Sequence, residues 1–80
     1  MKIAVIKTLV QNHTLPELAK AEEAILEEQA LPFEVEGEDE GEQLTHVLAA
    51  IYVKTQIEHH GADANTALRD YTKRVRNSIS

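Results

Sequence analysis

Residues 3–11 place Ile3, Val5, Ile6, Leu9 and Val10 on one continuous arc when wound as a helix, with Lys7, Thr8 and Gln11 on the other side. Strict alternation fails, because Lys7 falls on the same strand face as Ile3, Val5 and Leu9. The spacing predicts a short helix. The alternative is a strand, to which Ile and Val are well suited. It would pair in parallel with residues 32–36 across the next helix, as a small βαβ unit.

A second helix is predicted from Thr14 to about Gln29. Thr14 and Glu17 have the spacing of a capping box, and Pro16 in the first turn costs no hydrogen bond. Leu15, Leu18, Ile25 and Leu26 share its apolar face, interrupted by Glu22, and Ala30, Leu31 and Pro32 end it. Residues 31–41 read as a loop punctuated by Gly37 and Gly41. From 42 to 60 runs the strongest element. Leu44, Val47, Leu48, Ile51 and Tyr52 cover one face and Ala49, Ala50, Val53 and Ile57 a second, leaving Gln43, Lys54 and Glu58 as a polar stripe. Gly61 suits a left-handed C-terminal cap and Asp63 an N-cap. A last helix then covers roughly 64–79, with Ala64, Leu68, Tyr71, Val75 and Ile79 on one stripe.

These elements predict an all-α protein. It is a single helical domain over residues 1–80, a small bundle of three to four helices with a C-terminal αα-hairpin and an acidic loop at about 31–41. The alternative is an α+β fold with a two-stranded βαβ unit at the N-terminus. Composition favours helices: aromatic residues are only 4% of the chain, with two prolines and three glycines. An 80-residue chain buries only about 60% of its unfolded surface. Disulfides cannot compensate, since there is no cysteine.

Charge divides the chain. From Glu17 to Glu42 eleven acidic residues face one basic residue, a net −10, while the flanks carry +2 each and the whole −6. The block opposes polyanionic partners over much of the surface. Mutual repulsion within it predicts that stability holds or rises from pH 7 to about pH 5 and that salt stabilises. The start of the chain reads as no signal peptide, and no apolar run approaches the ~20 residues that span a bilayer. A cytoplasmic protein with no membrane contact is the expectation.

The breadth of the third helix's apolar surface predicts a protein-interaction or structural domain, self-associating as a homodimer or meeting another protein partner. Its interface candidates are Leu44, Val47, Leu48, Ile51, Tyr52, Val53 and Ile57. The alternative is a nucleic-acid or anionic-ligand module using Arg69, Lys73 and Arg76, which share a face of the last helix opposite Leu68, Tyr71 and Val75. The hairpin around Gly61 resembles a helix-turn-helix, but its first helix is long for that module and the net charge opposes DNA. Asp70 and Arg74 have i,i+4 spacing for an ion pair.

Metal motifs fail on spacing. With Glu36 as position 1 of an EF-hand loop, Gly41 falls correctly at position 6, but position 12 is Val47. In Glu58, His59, His60 and Asp63, the adjacent histidines point about 100° apart on a helix. No cofactor and no catalytic group is assigned, and Ser78 and Ser80 have no histidine placed by sequence to activate them. The expectation is therefore a protein that is not an enzyme.

Two stretches carry a family resemblance. One is Val5-Ile6-Lys7-Thr8-Leu9-Val10-Gln11. The other runs from Ala50-Ile51-Tyr52 through Glu58-His59-His60-Gly61 to Ala67-Leu68, Tyr71 and Lys73-Arg74-Val75-Arg76-Asn77-Ser78-Ile79. They are similar to a group of short bacterial proteins of unknown function with a V-I-K-x-L-x-Q start, an acidic middle and an A-L-x-x-(aromatic)-x-K-R-V-x-x-S-I ending. The resemblance covers about half of the chain, and the acidic loop departs most from it. It implies an intact bacterial domain and no particular activity.

Overall fold

The computed structural model describes residues 2–79, with side chains as far as Arg76. It contains α1 (Ile3–Asn12), α2 (Leu15–Leu26), α3 (Glu40–His60) and α4 (Ala64–Ile79). No strand forms among the described residues, so residues 3–11 are helix and the βαβ alternative falls.

The local signals act as their chemistry requires. The Thr14 N–H donates to Glu17 Oε1 at 2.8 Å and the Glu17 N–H to Thr14 Oγ1 at 3.3 Å, a reciprocal capping box. Asp39 caps α3, its Oδ1 accepting the Glu42 N–H at 2.8 Å, so α3 begins slightly before residue 42. Gly61 ends α3 at φ 68°, a conformation open to glycine. Asp63 caps α4 by accepting both the N–H and the hydroxyl of Thr66 at 2.9 Å.

α2 stops at Leu26 rather than about Gln29, because Glu28 turns left-handed at φ 57°. Leu26 is 64% exposed and does not join the buried face, which Leu18, Ala21, Ala24 and Ile25 form. Ile3 likewise lies outside the buried arc of α1, which is Val5, Ile6, Leu9 and Val10. On α4, Ala67 and Leu68 are buried and Tyr71 and Val75 half-buried; of the expected stripe, only Ile79 lies outside the described side chains.

α3 is the axis of the fold, since α1, α2 and α4 each pack against it. Its apolar breadth is used to face three neighbours within the chain. Val47, Ala49, Ala50 and Val53 are fully buried. Ile6 of α1 and Leu18 of α2, also fully buried, share one core cluster with them. Tyr52 packs tilted against Tyr71 of α4 with ring centroids 5.5 Å apart. Burial of the Tyr71 ring raises its phenol above the ordinary value.

Polar groups fix α1 on this axis. No side chain of its own caps α1. Instead the Lys2 N–H donates to Nε2 of His46, a fully buried residue of α3, at 2.9 Å. His46 Nδ1 lies 2.8 Å from the Glu36 carbonyl. The Lys2 amide can only donate and the Glu36 carbonyl can only accept, so the ring is the neutral tautomer with its proton on Nδ1. At the other end of α1, Lys54 Nζ donates to the Val10 carbonyl at 2.9 Å. Both spans cover eight residues, 2 to 10 and 46 to 54, so α1 and α3 run parallel and in step. Gln43 adds a third tether, Nε2 donating to the Val35 carbonyl at 3.0 Å and holding buried Val35 against the bundle. Two members of the expected polar stripe, Gln43 and Lys54, are thus inter-element ties. Lys54 also meets Glu58 at 3.9 Å.

His46→Ala deletes a buried ring and leaves the Lys2 N–H and Glu36 carbonyl without it. The expected cost is about 2–4 kcal/mol in urea unfolding. His59→Ala, at an exposed position, should leave the midpoint unchanged; equal midpoints for both variants would refute the tether.

Acid acts on the caps. Backbone hydrogen bonding within the Thr14 box, then the Thr14 hydroxyl, holds the Glu17 carboxyl below its ordinary 4.5, opposite in sign to the effect of repulsion in the block. Bonding to the Thr66 backbone, then its hydroxyl, holds Asp63 below its ordinary 3.8. A carboxyl depressed on folding stabilises at pH values above its ordinary value and loses that contribution as pH falls through the folded one. The melting temperature should therefore fall as pH drops below about 4.5, and less so in Glu17→Gln. Melting curves between pH 5 and pH 3 check both.

Candidate anion-binding groove

α4 returns antiparallel along α3 after the Gly61 turn, which lays it beside α1. The first turn of α4 therefore lies at the C-terminal end of α1, and its later turns run toward Ile3. Between the two helices is an open groove of about 600 Å³. Arg69, Lys73 and Arg76 of α4 line it together with Lys7 of α1. Leu68 forms a buried apolar floor, and Ile3, 46% exposed, gives an apolar rim. Asn65 and Thr72 add polar groups. The crevice continues into a recess of about 240 Å³ that also reaches Lys7, Asn65 and Leu68.

All three cations expected from the sequence meet here. Leu68 is their floor rather than their opposite face, because residues one apart on a helix differ by only about 100°. Lys7 is the residue that sequence reasoning missed. The sequence put it on the polar side of α1, and nothing local indicated that α4 would lie along it. No carboxylate or histidine lines the groove, and its four cations make no ion pair among the described residues. Asp63 stands close enough to Arg69 for a minor electrostatic effect, while its carboxylate is held by Thr66. Arg74 points elsewhere: its guanidinium sits 5.6 Å over the Tyr52 ring, and no pair with Asp70 forms.

The opposite flank of α1 has the opposite sign. A recess there is lined by Val5, Thr8 and Leu9 with Glu34 and Glu36, and the acidic segment continues through Glu38 to Glu42, with Lys2 beside it. Asp39 and Glu42 are occupied, capping α3 and accepting the Glu38 N–H respectively. Glu34, Glu36, Glu38 and Glu40 are exposed.

The remaining candidates separate. Of the α3 interface set, Val47 and Val53 are buried within the chain, while Leu44, Ile51, Tyr52 and Ile57 are partly buried against its core. Leu48 is 39% exposed. In the Glu58, His59, His60 and Asp63 cluster, Glu58 faces Lys54 and Asp63 faces Thr66. His13 is stacked on Phe33 at 3.7 Å, with Nδ1 buried and unbonded. Among the described residues no three His, Asp or Glu side chains converge on a common point. No helix there is long and apolar enough to cross a membrane.

A four-helix all-α domain with one basic and one acidic flank is the class defined by these features. The chain belongs to DUF6952, a family of unknown function whose model matches residues 1–80. No curated protein matches it, and no solved structure does.

Proposed function

We propose that this domain binds an anionic ligand in the groove between α1 and α4 and is not an enzyme. The observation that carries the reading is the convergence of Lys7, Arg69, Lys73 and Arg76 on one concavity free of acidic residues, in a chain whose net charge is −6. Such a site holds a field opposite in sign to that of the whole molecule. With no histidine or carboxylate to move a proton, the groove is equipped to hold a ligand rather than transform it. An aromatic ring on which a base would stack is also missing from its lining, which disfavours single-stranded nucleic acid.

Tripolyphosphate is a suitable probe. Titration at low salt should shift the backbone amide NMR signals of α4 and of residues around Lys7. Arg69→Gln/Lys73→Gln should weaken binding by at least about tenfold, roughly 1.4 kcal/mol, and added salt should weaken it further. Unshifted signals in α4, or equal binding by the double variant, would refute the groove.

A second reading rests on Leu48. With Leu44 and Ile51 one turn to either side, it gives α3 a remaining apolar strip at the surface, suited to a homodimer or another protein partner. Sedimentation equilibrium should then show a mass above the monomer that persists at high salt and is lost in Leu48→Asp. A monomeric mass up to about millimolar concentration would remove this reading.

A further inference from the structure

We infer that copies of this chain associate head to tail, the acidic segment 34–40 of one entering the basic groove of the next. The inference rests on the groove's being an anion site and names its occupant as a second copy.

Charge complementarity carries the choice. The groove presents four cations without an ion pair among the described residues. The acidic segment presents Glu34, Glu36, Glu38 and Glu40, all exposed and without an ion pair among those residues, although Lys2 lines the same recess. The two surfaces lie on opposite flanks of α1, one bounded by Ile3 and Lys7, the other by Thr8 and Leu9. They are therefore poorly placed to meet within one molecule and well placed to meet between two.

Spacing agrees. Glu34 and Glu36 flank buried Val35, the alternation of an extended segment, in which every second side chain projects the same way at about 6.6 Å intervals. Arg69, Lys73 and Arg76 follow one another along α4 at intervals of four and three residues, a rise of about 6.0 and 4.5 Å. Glu34 and Glu36 can thus stand opposite two successive cations of α4, Arg69 and Lys73, whose rise of about 6.0 Å nearly matches theirs. Glu34 and Glu36 are free for this work, since the fold uses the backbone of residues 35 and 36 and not these two carboxylates.

Net repulsion between copies at −6 each is the opposing force. At about 0.1 M salt the screening length is about 10 Å, so charges remote from the contact are damped while groove and segment still attract. Because the two patches differ, the contact is heterologous and leaves a free groove at one end and a free segment at the other.

Two neutralised variants test this by complementation. Arg69→Gln/Lys73→Gln keeps the segment and loses the groove; Glu34→Gln/Glu36→Gln keeps the groove and loses the segment. In sedimentation velocity at about 0.1 M salt the unaltered chain should form species beyond the dimer as concentration rises, and these should dissociate as salt is added. Each variant alone should be monomeric. Their equimolar mixture should form a dimer and nothing larger, because only one productive contact remains. A monomeric unaltered chain, an assembly indifferent to Glu34→Gln/Glu36→Gln, or a mixture that stays monomeric would overturn the inference. Tripolyphosphate separates the two levels: if the segment variant binds it and no assembly forms, the groove stands and the second copy is excluded as its occupant. If neither occurs, both readings fail. Assembly lost only in Leu48→Asp would assign the contact to the α3 strip instead.

Discussion

An α-helix leaves N–H groups unpaired at its start and carbonyls at its end, and α1 carries no capping side chain of its own to answer for them. The buried ring of His46 accepts from Lys2 at one end, and the ammonium of Lys54 donates to the Val10 carbonyl at the other. Hydrophobic burial alone would let a ten-residue helix slide or rotate on α3. Two directional bonds spaced by the same eight residues on both helices admit only one register. His46 extends the constraint to a third element, because its other nitrogen donates to Glu36.

The groove follows from that placement. Once α1 is fixed parallel to α3 and α4 is turned back by Gly61, the flanks of α1 and α4 must lie side by side, and the polar residues at their margins face the same crevice. Lys7 enters a site with Arg69, Lys73 and Arg76 although more than sixty residues separate it from them in the chain. The acidic segment, tied by Gln43 and His46 to the other side, is kept away. The same ties that order the core thus separate the charges.

Features written in consecutive residues were legible in the sequence: the Thr14 to Glu17 box, the glycine after His60, the Asp63 cap, and the length of α3. Arg69, Lys73 and Arg76 were legible as a set because one helix carries them. His46 was not, for its two partners lie 44 and 10 residues away and neither is a side chain. Gln43 and Lys54 looked like a solvated stripe for the same reason, their acceptors being carbonyls of other elements. Periodicity also overstated α2: a single left-handed residue, Glu28, ended the helix where no glycine or proline marked the place. The apolar breadth of α3 was read as an interface between copies, but Val47 and Val53 are buried within the chain, because three helices rather than a partner cover that breadth.

The hub arrangement has a consequence for biogenesis. α1 and α2 are made before the helix against which both pack, which begins at Glu40 and supplies its tether to Val10 only at Lys54. Val5, Ile6 and Leu18 accordingly have no lasting shelter while the first half is being made. Lasting burial of these side chains waits for α3. The carboxylates of residues 17–42 fall almost entirely before that helix, so the stretch made first carries a like charge that opposes association of unfinished chains.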